Sequence, residues 1–509
     1  MTSTARKLVS GYGVRLVNTV ATGVVSLLLM PFVVHRLGDR MFGIWTLVST
    51  VIGYYPLLEL GLSTAITRYL AGALGQGNQE HFNKVFNTAL RLYSGLGVIV
   101  LIVTVALASL PRHFVQYSGD ATTFSQVILI LGLSIALLFP TRVFTGPLEA
   151  QLRFDRLAVF ELLTLVLRTT LVVVLLLSGY KVIALAWATL LATIPSTILT
   201  IRTAYQEVPF LSIESRHWDR TTVKSLFSFS AFTLISHLAN LIRFRVDGLV
   251  VATFIGLSAV THYRVAEVLA QYYFLIMSAL SGMFTSVFSR QEGAYDFEAI
   301  RKTYSFASQV CACVASFLSF GLIAWGRPFI TRWMGAQYLD AYPALVVLVV
   351  AFYVATAQGP FVSLLFGTSR HKFVALVTSL EAAANLLLSI LLVKRFGMMG
   401  VALGTLIPML VSGAILLPAY ACRVAKMNYF EHLRRMGKIL GAVGVSLLFP
   451  LVFTLEFVTP DYRVLFGVGL LSMILYGAVL WVIVFSQSEV RGLLVRAMGP
   501  MFAAKGNAD

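Results

Sequence analysis

Residues 155–178 read Asp155-Arg-Leu-Ala-Val-Phe-Glu161-Leu-Leu-Thr164-Leu-Val-Leu-Arg168-Thr-Thr-Leu-Val-Val-Val-Leu-Leu-Leu-Ser178. An apolar run of this length is what a helix needs to cross the hydrocarbon of a bilayer. Among its interior polar residues Glu161, Thr164 and Arg168 step by three and four, so they draw one stripe along one face. Runs of the same kind recur along the whole chain. They fall near 11–34, 44–70, 84–110, 122–148, 155–178, 182–204, 224–253, 259–288, 300–326, 341–366, 371–393, 399–422, 437–456 and 464–486. The expected fold is an all-α polytopic membrane protein of about fourteen transmembrane helices.

The bulk composition agrees. The 509 residues are 58% hydrophobic and 12% charged, with a mean hydropathy of +0.84. A soluble chain of this size needs more charge to cover its surface, whereas lipid accepts an apolar exterior. The ten-residue alternation of an outer-membrane barrel is absent from the sequence. Arg6 and Lys7 precede the first apolar run in the manner of a signal peptide. That run is too long and lacks a small-residue cleavage site, so it reads as the first span. Cys311, Cys313 and Cys422 lie in or beside apolar runs without a His or Asp cluster. They read as packing residues, not as metal ligands or disulfide partners.

The formal charge is +17. Spread through short loops, it points away from nucleic acid and toward anionic lipid headgroups and membrane orientation. With the N-terminus inside, roughly 23 Lys and Arg fall on the inner side and roughly 9 on the outer, the sense of the positive-inside rule. Both termini are therefore expected in the cytoplasm. About seven arginines remain, all inside spans.

The spans repeat at an offset of 218 residues. Leu37-Gly38 aligns with Ile255-Gly256, Trp45 with Tyr263, Tyr54-Tyr55 with Tyr272-Tyr273, Lys84 with Lys302, and Phe86 with Tyr304. Far downstream, Gly179-Tyr-Lys-Val-Ile-Ala-Leu185 aligns with Gly397-Met-Met-Gly-Val-Ala-Leu403 in the same register. Such persistence across six spans marks a duplicated unit. Six is even, so the copies share one orientation and are related by a pseudo-two-fold axis along the membrane normal, a plan of transporters. The expected divisions are an N-terminal lobe (1–211), a cytoplasmic linker (212–223), a C-terminal lobe (224–430), two extra helices (431–486) and a cytoplasmic tail (487–509).

Polar residues are costly in lipid, so their positions locate function. Thr233, Ser236, Asn240, Arg243 and Asp247 draw one stripe, and Arg15, Asn18 and Thr22 occupy the equivalent places of Thr233, Ser236 and Asn240 in the first copy. Arg264, Glu267 and Gln271 form another stripe, as do Glu381, Asn385 and Ser389. Arg142 follows Pro140, and Glu59 follows Pro56. The bland alternative is salt-bridging within the spans: Arg243 or Arg245 with Asp247, Arg264 with Glu267, Arg168 with Glu161. Against it, arginines outnumber the local acids on several spans. Guanidinium stays charged when poorly hydrated and grips phosphate with two parallel hydrogen bonds, so the excess points to an anionic substrate. Gly467-Val-Gly469 lacks the third glycine of a dinucleotide site. The sequence has no Walker phosphate loop, nucleophile elbow or His-Glu zinc motif, and no cofactor is expected.

The stretch Leu37-Gly38-Asp-Arg-Met-Phe42-Gly43-Ile44-Trp45, followed by Leu60-Gly61-Leu62-Ser63-Thr-Ala65-Ile-Thr-Arg68-Tyr69, resembles the opening of Wzx-type polysaccharide-biosynthesis flippases. These belong to the multidrug/oligosaccharidyl-lipid/polysaccharide exporter superfamily. The resemblance implies a bacterial inner-membrane protein, not an enzyme, of two six-helix lobes. Such proteins move an undecaprenyl-pyrophosphate-linked oligosaccharide from the cytoplasmic to the periplasmic leaflet by alternating access. On this expectation the substrate-binding residues are Arg15, Asn18, Arg142, Arg168, Asn240, Arg243, Arg245, Arg264 and Tyr272. Glu59, Asp247 and Glu267 are the candidates for a coupling cation. The expected partners are the lipid-linked oligosaccharide, membrane lipids, and polysaccharide polymerase or export machinery. A multidrug/cation antiporter and a lipid II flippase remain alternatives. A glycan polymerase or ligase needs a larger outer loop than the spans leave.

Overall fold

A computed structural model of the chain describes residues 3–59, 62–111, 118–214, 222–223, 226, 245–357, 360–437, 439, 441 and 462–483. The protein is an all-α, multi-pass membrane protein. Among the described residues the order is α1 (Ser3–Leu37), α2 (Asp39–Ile52), α3 (Leu62–Gly75), α4 (Gln79–Ser109), α5 (Ser118–Arg142), α6 (Thr145–Ala150), α7 (Phe154–Leu177) and α8 (Ile183–Glu207). There follow α9 (245–254), then α10 (Leu257–Gly282), α11 (Phe284–Gly293), α12 (Phe297–Trp333), α13 (Ala341–Ala357), α14 (Phe361–Gly367) and α15 (His371–Met409). A π-helical turn over Leu410–Leu416 leads into α16 (Leu417–Val424). The described chain ends with α17 (429–437) and α18 (Tyr462–Ile483).

Among the described residues nine segments are long and apolar enough to cross a membrane, or ten counting the bent pair α13–α14. The longest runs over 371–424 and is interrupted at Gly397, whose φ of 58° and ψ of −138° break the helix. Leu28, Ile102, Leu137, Leu177 and Leu391 stand outward, an exterior suited to lipid rather than water. The run expected over 44–70 is not one straight helix. A 3-10 turn at Tyr55–Glu59, containing Pro56, separates α2 from α3, because proline cannot donate to the preceding turn. Most of the expected spans near 224–253 and 437–456, namely 227–244 and 442–456, lies outside the described residues.

The repeat is written into the backbone. Left-handed conformations occur at Gly38 and Gly256, at Gly77 and Tyr295, and at Gly179 and Gly397, each pair 218 residues apart. Asn78 caps α4 by accepting from the amide of His81, and Asp296 caps α12 by accepting from that of Ala299. One turn on, Glu80 pairs with Lys84 and Glu298 with Lys302, both at 2.8 Å. At the position of Pro195 in α8 the second copy has Gly413, inside the π-helical turn. Both devices interrupt the regular hydrogen-bond ladder, by different means.

The chain gathers into two compact units, Met1–Thr261 and His262–Asp509. The core of the first includes Phe82, Phe86, Tyr93, Phe139, Phe144 and Leu148, with Phe86 edge-on to Phe144 at 5.1 Å. Asn83 and Asn87, one turn apart on α4, hold the segment after α8 by its backbone. Asn83 donates to Phe210 O and accepts from the Ser212 amide, while Asn87 donates to Ser212 O and accepts from the Glu214 amide. Still within this unit, α2 packs on α9 and the start of α10. An added Cβ at Gly43 would fall 2.0 Å from Leu257 O, so only glycine permits the approach. In the second unit Phe288, Ile300, Tyr304, Phe361, Leu364 and Cys422 form a core, and His432 of α17 stacks on Tyr304.

Candidate functional site: polar clusters within the spans

In the first unit the stripe on α7 faces two helices. Glu161 accepts from Asn18 Nδ2 of α1 at 2.7 Å. Thr164 bonds Ser196 of α8 at 2.5 Å, and Ser196 donates to Phe160 O. Arg168, one turn beyond Thr164, is partly buried and makes neither an ion pair nor a hydrogen bond among the described residues. The salt bridge between Arg168 and Glu161 does not form there, since Asn18 engages the carboxylate. An intramembrane guanidinium is costly to leave without a counter-ion.

The second cluster lies where the Pro56 turn meets the end of α5. Arg142 Nη1 donates to Glu59 Oε2 at 2.7 Å, and Tyr93 OH of α4 donates to Glu59 Oε1 at 2.5 Å. Thr67 of α3 donates to Glu149 of α6 at 2.5 Å. Sequence spacing put Glu59 and Arg142 in separate roles; the fold joins them in one network. Tyr93 was not among the residues the sequence singled out. A tyrosine in an apolar span has no periodic signature, and only the contact reveals it.

On α9 the Arg245 guanidinium lies close over Gly53, where a Cβ would come within 2.5 Å of Nη1. Asp247 is buried, and Tyr54 is within electrostatic reach of both. Asn240 and Arg243 lie outside the described residues, as do Thr233 and Ser236. Arg15 belongs to α1, but its side chain also lies outside what is described.

In the second unit Arg264 Nη1 donates to Glu267 Oε2 at 2.7 Å, and Gln271 Nε2 donates to Glu267 Oε1 at 2.9 Å. The expected pairing of Arg264 with Glu267 therefore forms. Tyr272 is half-buried beside this stripe. Further along, Glu381, Asn385 and Ser389 of α15 turn inward. Ser412 of the π-helical turn donates to Glu381, Asn385 donates to Thr405 Oγ1 at 2.8 Å, and Ser389 to Val401 O at 3.3 Å. An added Cβ at Gly404 would meet Ser389 Oγ at 2.3 Å, so glycine permits this close approach.

The family model for polysaccharide biosynthesis proteins matches residues 36–343. A putative O-antigen transporter of Shigella flexneri is 22% identical over 411 residues, 78% of this chain and 95% of that protein. Among solved structures, the lipid II flippase MurJ in an inward closed conformation superposes with a TM-score of 0.69 at 14% identity, covering 92% of this chain and 98% of that one. An inward-facing multidrug resistance MATE family transporter of the MOP superfamily superposes with a TM-score of 0.66 at 17% identity, covering 81% and 96%. At these identities the two superpositions establish a shared fold.

Proposed function

We propose that this chain, which belongs to the polysaccharide biosynthesis protein family, is a flippase for an undecaprenyl-pyrophosphate-linked oligosaccharide. It moves this lipid from the cytoplasmic to the periplasmic leaflet of a bacterial inner membrane. The observation that carries the reading is Arg168, a partly buried intramembrane guanidinium with no counter-ion among the described residues. The name of the Shigella relative, a putative O-antigen transporter, supports the substrate class.

On this reading the lobes 1–211 and 224–430 rock about the linker 212–223. Arg15, Arg142 and Arg168 take up the pyrophosphate from the inner side, with Asn18 beside them. Arg243, Arg245 and Arg264, with Asn240, receive it toward the outer side, and Tyr272 stacks on sugar. Bidentate hydrogen bonding suits guanidinium to this task, while the prenyl tail stays in lipid. A coupling cation falls to Asp247, Glu59 or Glu267. Both termini are cytoplasmic, and polysaccharide polymerase or export machinery receives the product.

The test is retention of lipid by the purified chain in native mass spectrometry. Undecaprenyl-pyrophosphate sugars are expected to stay bound, and Arg168→Ala to weaken that retention. Retention of cationic dyes alone would overturn the flippase reading in favour of a multidrug antiporter.

A further inference from the structure

Two of the arginines just assigned to the substrate share one arrangement, in different units and on unrelated elements. In the first unit Arg142 binds one oxygen of Glu59 while Tyr93 holds the other. In the second, Arg264 binds one oxygen of Glu267 while Gln271 Nε2 holds the other, and Gln271 Oε1 also accepts from Arg264 Nη1 at 3.3 Å. The carboxylates are the more buried members: the Glu59 side chain is 13% exposed against 49% for Arg142, and Glu267 15% against 32% for Arg264. Each arginine meets its acid through Nη1 alone. The two-pronged fork that guanidinium makes with carboxylate at its strongest is left unused.

An ion pair built only for stability would bury both partners and engage the fork. Here the acid is anchored twice, and the base is the more open partner, with donors to spare among the described residues. We propose that Glu59 and Glu267 are resident counter-ions, which hold Arg142 and Arg264 while the transporter is empty and yield them to the anionic headgroup. Tyr93 and Gln271 are positioning residues that keep each carboxylate in place once its arginine has turned away. The inference rests on the anionic-substrate reading. It gives Glu59 and Glu267 a task other than cation coupling, leaving Asp247 for that role.

The physical reason is balance. An uncompensated arginine in a low-dielectric span is costly, so an empty carrier needs an internal anion. A pyrophosphate carries more charge than a carboxylate and offers bidentate acceptors, so it wins the exchange. The displaced carboxylate remains nearby, steadied by a neutral donor, and repels the bound anion. Binding is thereby kept weak enough for release, which a carrier needs as much as capture.

The experiment measures the dissociation constant of the full-length purified chain for undecaprenyl pyrophosphate. Glu59→Gln removes the competitor while keeping the shape, and is expected to tighten binding about tenfold. Glu267→Gln is expected to act in the same direction. The effect of Glu59→Gln is expected to vanish in an Arg142→Gln background, because the competition is for that guanidinium. Tyr93→Phe is expected to weaken binding, the opposite sign, since Glu59 then leans harder on Arg142. A merely structural role would move both variants' stability without opposite shifts in affinity. Should Glu59→Gln fail to fold, Glu59→Asp retains the charge but draws it back by one methylene, and a smaller tightening is expected.

Unchanged or weaker binding by the folded glutamate variants, with wild type binding normally, would overturn the counter-ion assignment alone. No binding by wild type would overturn the anionic-substrate reading, and this inference with it.

Discussion

Thr261 donates its hydroxyl to the backbone oxygen of Asp39 at 2.7 Å, and the positions 218 residues away repeat the contact in reverse. Gly43, the counterpart of Thr261, lies against the backbone oxygen of Leu257, the counterpart of Asp39. The same kind of contact therefore occurs twice, at equivalent positions of the 218-residue repeat. It is closed on one side by a hydrogen bond and on the other by the absence of a side chain.

The two halves of that seam are expected to fail differently. Gly43→Ala places a methyl inside the Leu257 carbonyl, and the helices must move apart at about 1–3 kcal/mol. Thr261→Val keeps the shape and loses one hydrogen bond, at about 1 kcal/mol. Thermal unfolding in lipid nanodiscs is expected to rank Gly43→Ala below Thr261→Val, and both below wild type.

Arg168 and Arg264 separate binding from stability. Removing Arg168 takes away a partly buried charge without a counter-ion among the described residues, so Arg168→Ala is expected to keep or raise the unfolding temperature. Its retention of pyrophosphate lipid is expected to fall about tenfold. Arg264→Ala strands Glu267 on Gln271 alone and is expected to lower the unfolding temperature. Equal destabilisation by both would make Arg168 a structural residue.

The asparagine clamp on the segment after α8 is open to proteolysis as a readout. Asn87→Ala removes three hydrogen bonds, to Ser212 O, to Asn83 O and from the Glu214 amide. The expected loss is about 1–3 kcal/mol for groups left without partners. Limited digestion is expected to cleave within 208–223 faster than in wild type, with sites elsewhere unchanged.

All three thiols are free and buried. Neutral maleimide is therefore expected to leave Cys311, Cys313 and Cys422 unlabelled in the folded protein and to label them after denaturation. Mass spectrometry of the intact chain reads the count directly. Labelling of the folded protein would mean that these helices open.

Helix positions, the membrane environment and the duplication were legible in the sequence because they rest on local properties. Apolar length decides whether a segment can cross lipid, and a 218-residue register needs no knowledge of contacts. The left-handed glycines at 38, 77, 179, 256 and 397 act through their own backbone freedom, which a sequence carries unaided. The stripes on α7, α10 and α15 were visible for the same reason, being periodic along single helices.

What a side chain does once it is on a stripe depended on its neighbours. Glu161 serves Asn18 and leaves Arg168 unpaired among the described residues; Glu59 serves Arg142 and Tyr93 together. These partners lie 143, 83 and 34 residues apart, and no periodicity links them. The sequence by itself determined where charge enters the membrane, because burial of an apolar run is a property of the run. Tertiary structure alone decided which charges are cancelled and which remain available, because in a low-dielectric interior that depends on distances of a few ångströms between helices.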